Sequence, residues 1–253
     1  MRSSLAVLTC LVLAVALAVS EWPDSAFSQE GGGNPSEILV YKPPMRGAPA
    51  GGGRVGAAVR GENGDNPALL VLAPDHVGVT SQKQPVLYWY ISKPTTGRIE
   101  FTLNDELRGK TVVRADLPSP KQAGIQEIRF SDYKAELAAG VVYQWFVTLE
   151  IDPSQPAKDV YYGGSIVYQE ATSDLQKRLA AAGSAGAPAV YAGEGLWYDA
   201  LGATLSPGKK GGENLLRQQR VTLLKQVGFG ASGPGKPQTA VAVEDDVLQF
   251  IGK

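Results

Sequence analysis

One stretch limits what this chain can fold into more than any other: Leu137-Ala138-Ala139-Gly140-Val141-Val142-Tyr143-Gln144-Trp145-Phe146-Val147-Thr148-Leu149. From Val141 onward every second residue (Val141, Tyr143, Trp145, Val147, Leu149) is large and apolar, with Gln144, Phe146 and Thr148 among those between. Successive side chains of a strand point to opposite faces, so a period of two predicts a half-buried strand. The lead-in Leu-x-x-Gly-x-x-Tyr has the form of a tyrosine corner, in which a Tyr at a strand start ties its hydroxyl to upstream backbone. Together they predict the central strand of an immunoglobulin- or fibronectin-III-like antiparallel β-sandwich.

Further strand signals surround it. Residues 69–73 end at Pro74, and residues 85–91 place Leu87, Trp89 and Ile91 on one face. Residues 98–103 turn Ile99, Phe101 and Leu103 inward; residues 111–117 and 126–130 contribute Val113, Ala115, Leu117, Ile128 and Phe130. The last strand, 160–168, carries Gly163-Gly164, which predicts a bulge or a close backbone approach. Short strands at this spacing indicate an all-β sandwich rather than βαβ units.

Beyond Tyr168 the period lengthens. Ser173-Asp174-Leu175-Gln176 resembles a capping box opening a helix to Gly183, followed by a loop over 184–188. Trp197, Leu201 and Leu205 then recur at i, i+4, i+8, and Leu216, Leu223 and Val227 mark a third helix over 213–227. The expected fold is mainly β with a C-terminal helical part, two or three short helices packing on the sandwich. The expected organisation is a signal peptide (1–28), a disordered Gly/Pro-rich leader (29–67), the sandwich (68–169), a helical extension (170–229) and a flexible tail (230–253).

The signal-peptide reading rests on Met1-Arg2 followed by an apolar run over 5–19, shorter than the ~20 residues that span a bilayer. Cleavage can follow Ser20 or Ser28; the polar stretch 21–25 favours Ser28 and a mature start at Gln29. The expected product is exported, to the periplasm or beyond, with no stable membrane span after processing. Cys10, the chain's one cysteine, would leave with the leader. A mature chain without thiols has no disulfides, thiolate nucleophiles or Cys-ligated metal. The net charge of -1, with Lys and Arg scattered, excludes a nucleic-acid footprint.

Several stretches resemble the motifs of a secreted bacterial family of unknown function, domain-of-unknown-function family 928 (DUF928). They are Pro85-Val86-Leu87-Tyr88-Trp89-Tyr90, Glu100-Phe101-Thr102-Leu103, the corner strand and Gly164-Ser165-Ile166. Tyr191-Ala192-Gly193-Glu194-Gly195-Leu196-Trp197-Tyr198-Asp199-Ala200-Leu201 and Leu223-Leu224-Lys225-Gln226-Val227-Gly228-Phe229 are similar to that family's ending. The resemblance spans 69–229 and implies export and a strand-then-helix order. It implies no activity and transfers no catalytic residue.

Chemistry-bearing residues are few. His76, the sole histidine, follows Asp75 in a turn, and no Gly-x-Ser-x-Gly elbow exists for it to serve. One histidine without cysteine predicts no metal site, and no cofactor is expected. Asp152, Asp159, Glu194 and Asp199 are the candidate carboxylates for acid–base work, though their spacing sets no two across a cleft. On the second sheet face Tyr88, Tyr90 and Phe146 point away from the core set; they form a candidate binding face unless the helices cover it. The expected function is therefore a non-catalytic exported protein that binds an envelope protein or polysaccharide. The alternative is a carbohydrate-active enzyme or carbohydrate-binding module using those tyrosines and carboxylates.

Overall fold

The computed structural model describes residues 39–44, 54–57, 66–206, 212–232 and 238–252. Among the described residues nine strands come first: Val55–Ala57 (β1), Leu69–Val71 (β2), Gly78–Thr80 (β3), Val86–Ile91 (β4), Ile99–Asp105 (β5), Lys110–Leu117 (β6), Gly124–Arg129 (β7), Val142–Leu149 (β8) and Val160–Tyr168 (β9). Helices Ser173–Gly193 (α1), Trp197–Leu205 (α2), Glu213–Gln226 (α3) and Gln238–Gly252 (α4) follow. One sheet runs β1-β9-β8-β5-β6, with β3 pairing β9 in parallel; the other runs β2-β4-β7. Three strands facing a larger sheet, with the corner strand in the middle of the larger one, is the arrangement of an immunoglobulin-type sandwich.

The strand β8 alternates in burial along its whole length, Tyr143, Trp145, Val147 and Leu149 facing the core. At its start the Tyr143 hydroxyl accepts the Ala138 N–H at 3.2 Å, which closes the predicted corner. The β8–β9 register runs unbroken from Val142↔Val167 to Leu149↔Val160, so the glycine pair makes no bulge there. It marks close approach instead. A Cβ on Gly163 would lie 2.4 Å from the Phe146 ring, and one on Gly164 would lie 2.5 Å from the Ala73 Cβ. The strand β4 behaves differently. Leu87 through Ile91 are all buried, because helices cover the face that the core does not.

The helical part is longer than the sequence suggests. The first helix is capped by Thr172, whose hydroxyl accepts the Leu175 N–H at 3.2 Å, one residue ahead of the expected box. It breaks at Gly183 (φ 62°) but resumes, so the expected loop over 184–188 is helical. Its alanines, among the best helix formers, carry it past the glycine.

Two expectations of disorder also meet ordered structure. Within the supposed tail, Gln238–Gly252 is a helix with Val247 and Ile251 buried. Val243, Val247 and Ile251 recur every four residues, a helical stripe that the neighbouring acidic residues obscure. Within the supposed leader, Leu39 and Tyr41 are buried. Gln226 holds that segment from both sides, accepting the Tyr41 N–H at 2.7 Å and donating to the Leu39 carbonyl at 2.8 Å. The expected signal peptide lies outside the described residues.

Arg54 joins the two ends. Its guanidinium pairs with Glu244 at 2.9 Å, donates to the Ala73 carbonyl at 3.1 Å and lies 4.0 Å above the Phe229 ring. Glu244 in turn accepts the Gly230 N–H at 2.9 Å.

Candidate functional site

The three residues expected to share one face do not share one. Tyr88 and Tyr90 lie on β4 in the smaller sheet, and Phe146 lies on β8 in the larger. Tyr90 packs against Phe250 of α4, ring centroids 5.5 Å apart. Phe146 remains half-buried on the outer side of the larger sheet, against Gly163 and the exposed Tyr161. Tyr88 borders a cavity. The physical reason is that two strands with the same alternation can belong to opposite sheets of a sandwich, which periodicity does not distinguish.

The helix α2 creates the cavity. Trp197, Tyr198, Ala200 and Leu201 are all buried, and two of them anchor the helix through polar tips. The Trp197 indole donates to the Leu72 carbonyl at 3.3 Å. The Tyr198 hydroxyl accepts the Trp145 indole N–H and donates to the Ser165 carbonyl, both at 3.0 Å. Burial drives its phenol pKa well above the ordinary range. The helix thus spans both sheets at the end of the sandwich, and Gly202 approaches the Tyr88 hydroxyl edge of β4.

Between α2 and the outer face of β4 and β7 lies a cleft of about 420 Å³, bordered by Thr80, Gln82, Tyr88, Glu127, Arg129, Tyr191, Asp199 and Ser206. Cross-strand register explains two of these: Tyr88 pairs with Glu127 and Val86 with Arg129. Glu127 and Arg129 form an ion pair at the mouth. Burial pushes the Tyr88 phenol up to about 12; Glu127 adds to the rise, while Arg129 and Arg220 oppose it. Among the described residues its hydroxyl has no hydrogen-bond partner.

Of the four candidate carboxylates only Asp199 reaches the cleft. Asp152 caps a surface turn through Ser154 and Gln155, Asp159 accepts the Ile151 N–H, and Glu194 pairs with Arg178. Asp199 ties α2 to the turn after β3, accepting the Ser81 N–H at 3.0 Å and the Ser81 hydroxyl at 2.6 Å. His76 is more than a turn residue. Its Nδ1 meets Asp75 at 2.9 Å and its Nε2 meets the Tyr41 hydroxyl at 2.8 Å, so it fastens the 39–44 segment. Glu127 and Arg129 were legible only as outward positions of a strand whose inward ones are Ile128 and Phe130. Arg220 carried no signal in the sequence. Among the described residues no cluster of three His, Cys, Asp or Glu could hold a metal ion, and no helix is long and apolar enough to cross a membrane.

Burial raises the Asp199 pKa, although the Ser81 hydrogen bonds act to lower it. The folded chain therefore keeps this proton to higher pH than the unfolded chain, where Asp titrates near ~3.9. Stability linked to such a group is fully present below the unfolded value and lost as pH rises through the folded one. Asp199→Asn removes that loss. The variant's stability relative to the parent should rise from about pH 4 towards neutrality, read from urea midpoints at each pH. A pH-independent difference would mean that the carboxyl titrates as it does in the unfolded chain.

A helix-capped β-sandwich with a polar, tyrosine-lined cleft is thus the class that fold and site define. The chain belongs to the family described as Domain of Unknown Function (DUF928), whose sequence model matches residues 52–234. That span leaves out the 39–44 segment and α4. No curated protein matches the chain. Two solved structures show limited likeness. One is an engineered protein, 8% identical over 41% of this chain and 20% of its own, with a TM-score of 0.29. The other is a DUF3244 family protein with an immunoglobulin-like β-sandwich fold from Bacteroides vulgatus, 17% identical over 45% of this chain and 94% of its own, with a TM-score of 0.26. This chain spans about a fifth of the engineered protein's length.

Proposed function

We propose that this is an exported, non-catalytic protein that holds a partner protein or an envelope polymer in the cleft between α2 and the outer face of β4 and β7. The observation that carries the reading is the state of the cleft's two carboxylates. Asp199 gives both oxygens to Ser81, and Glu127 is engaged by Arg129. Both carboxylates are thus engaged by partners within the fold, which supports a structural role for each over proton transfer. What remains is a concave, polar and aromatic surface, the usual character of a binding site. Export rests on the basic start and apolar run of residues 1–19.

Ala203 borders the cleft and is half-buried, so Ala203→Trp should fill the space with little effect on the core. The parent chain should retain a component from solubilised cell envelope that the Trp variant releases. Equal retention by both would contradict the reading, and turnover of a glycan by the parent but not by the variant would replace it with the enzymatic alternative.

A further inference from the structure

Residues 39–44 belong to no helix or strand, yet they are held on the domain as a peptide ligand is held. Burial alternates along them. Leu39 and Tyr41 are 2% and 6% exposed, Val40 between them is 51% exposed, and Lys42 is exposed. Their main chain is engaged as well. The Gln226 amide accepts the Tyr41 N–H and donates to the Leu39 carbonyl, and the Lys42 N–H donates to the Ala192 carbonyl at 3.0 Å. Main-chain bonds for affinity, with pockets for alternate side chains for specificity, are how extended peptides are recognised. Pro43 and Pro44 bias the residues before them towards extended backbone, so such a segment loses little freedom on docking.

The receiving surface is shaped to this strap. Gly195 in the α1–α2 turn has φ 74°, and a Cβ there would lie 2.6 Å from the Lys42 carbonyl oxygen, so the turn leaves room for a passing backbone. The Tyr41 ring meets the Trp197 ring edge-on, centroids 5.3 Å apart. Its hydroxyl lies 2.8 Å from His76 Nε2, while His76 Nδ1 lies 2.9 Å from Asp75. A carboxylate only accepts, so in the neutral ring Nδ1 holds the proton and Nε2 accepts from the tyrosine. That bond distinguishes tyrosine from phenylalanine.

The family boundary separates the site from its occupant. His76, Ala192, Gly195, Trp197 and Gln226 lie within the matched span 52–234, and residues 39–44 precede it. None of these five borders the cleft, so the two sites can be tested apart. We propose that they form a peptide-binding site for the pattern Leu-x-Tyr-x-Pro, filled within one chain by its own strap and between chains by the strap of a second copy. Every copy carries both halves of this interaction. Covalent attachment favours the strap of the same chain, so exchange is exposed when that strap is disabled.

Fluorescence anisotropy with a labelled, acetylated and amidated peptide of residues 37–46 tests the site on the full chain. Leu39→Ser with Tyr41→Ser disables the strap and leaves the site unaltered. This variant should bind the peptide, and the parent should bind it at least about tenfold more weakly, because its own strap competes. A peptide carrying the same two serines should not bind. Adding Gln226→Ala to the variant should weaken binding by about tenfold or more, since two main-chain bonds go with the amide. Tyr41→Phe, a change mild enough to spare the fold, should alone raise peptide binding several-fold over the parent by weakening the competitor. Equal binding by parent and variants, binding of the serine peptide, or no binding at all would each overturn the proposal. A chain with Gly195→Val keeps its strap but blocks its site. Mixed with the Leu39→Ser, Tyr41→Ser chain, it should form a one-to-one complex in analytical ultracentrifugation that neither forms alone. Peptide binding without that complex would overturn the second copy as occupant.

Discussion

Replacing Trp145 by alanine should lower the unfolding free energy by ~3–5 kcal/mol, the range for truncating a large aromatic in a core. Trp145 is fully buried in the middle strand of the larger sheet. The loss exceeds that of packing alone, because its indole N–H also supplies the Tyr198 hydroxyl at 3.0 Å. Removing it leaves that hydroxyl with its donor bond to Ser165 and an unmet acceptor role. The consequence should therefore reach α2 as well as the sheet. Urea denaturation followed by circular dichroism measures the first effect, and hydrogen exchange of the α2 amides measures the second. A neutral Trp145→Ala would remove β8 from the centre of the fold.

The second large effect should come from the other end of the chain. Glu244→Ala leaves the Arg54 guanidinium buried without its carboxylate, and breaking a buried pair in this way typically costs ~3–5 kcal/mol. The pair's side chains are 11% and 2% exposed, so solvent screening does little to soften the loss. Exchanging both partners for apolar residues, Arg54→Met with Glu244→Leu, should recover most of the stability, because no charge is then left unpaired. Denaturation midpoints of the single and double variants check both statements. If Glu244→Ala is silent, α4 does not hold the β1 segment, and the C-terminal residues are the tail that the sequence suggests.

What the sequence disclosed and what it withheld divide along a physical line. Local signals were legible. The alternation of Val141 to Leu149 marks β8, Leu-x-x-Gly-x-x-Tyr marks the corner, and the glycine pair 163–164 marks a close approach. Each depends on geometry within one or two strands. Short strands such as β1 and β3, three residues each, carry too few side chains for any period to show. The packing of Leu39 and Tyr41 depends on Gln226, some 185 residues away in sequence, and no local pattern encodes such a distance.

The candidate site shows the same division. Tyr88 was legible as an outward tyrosine on β4, and Asp199 as a polar position beside the apolar stripe of α2. Which sheet each aromatic joins is not, because periodicity alone places Phe146 with residues that belong to the opposite layer. The cleft arises where a helix crosses a sheet face, and Glu127, Arg129 and Tyr191 enter it through the cross-strand register and the α1–α2 turn. The resemblance of residues 85–90 and 191–201 to the family, by contrast, identified the two stretches that supply Tyr88, Tyr191, Tyr198 and Asp199.

The account depends most on α2 and α4 lying over the outer face of β4, since that placement creates the cleft and buries both tyrosines. A nuclear Overhauser spectrum of the purified chain measures it directly. Cross-peaks should connect the Tyr88 ring to the Gly202 α-protons and the Tyr90 ring to the Phe250 ring, whose centroids are 5.5 Å apart. Tyrosine rings at 88 and 90 that show contacts only within their own sheet, with solvent exchange at both hydroxyls, would place the helices elsewhere and remove the cleft.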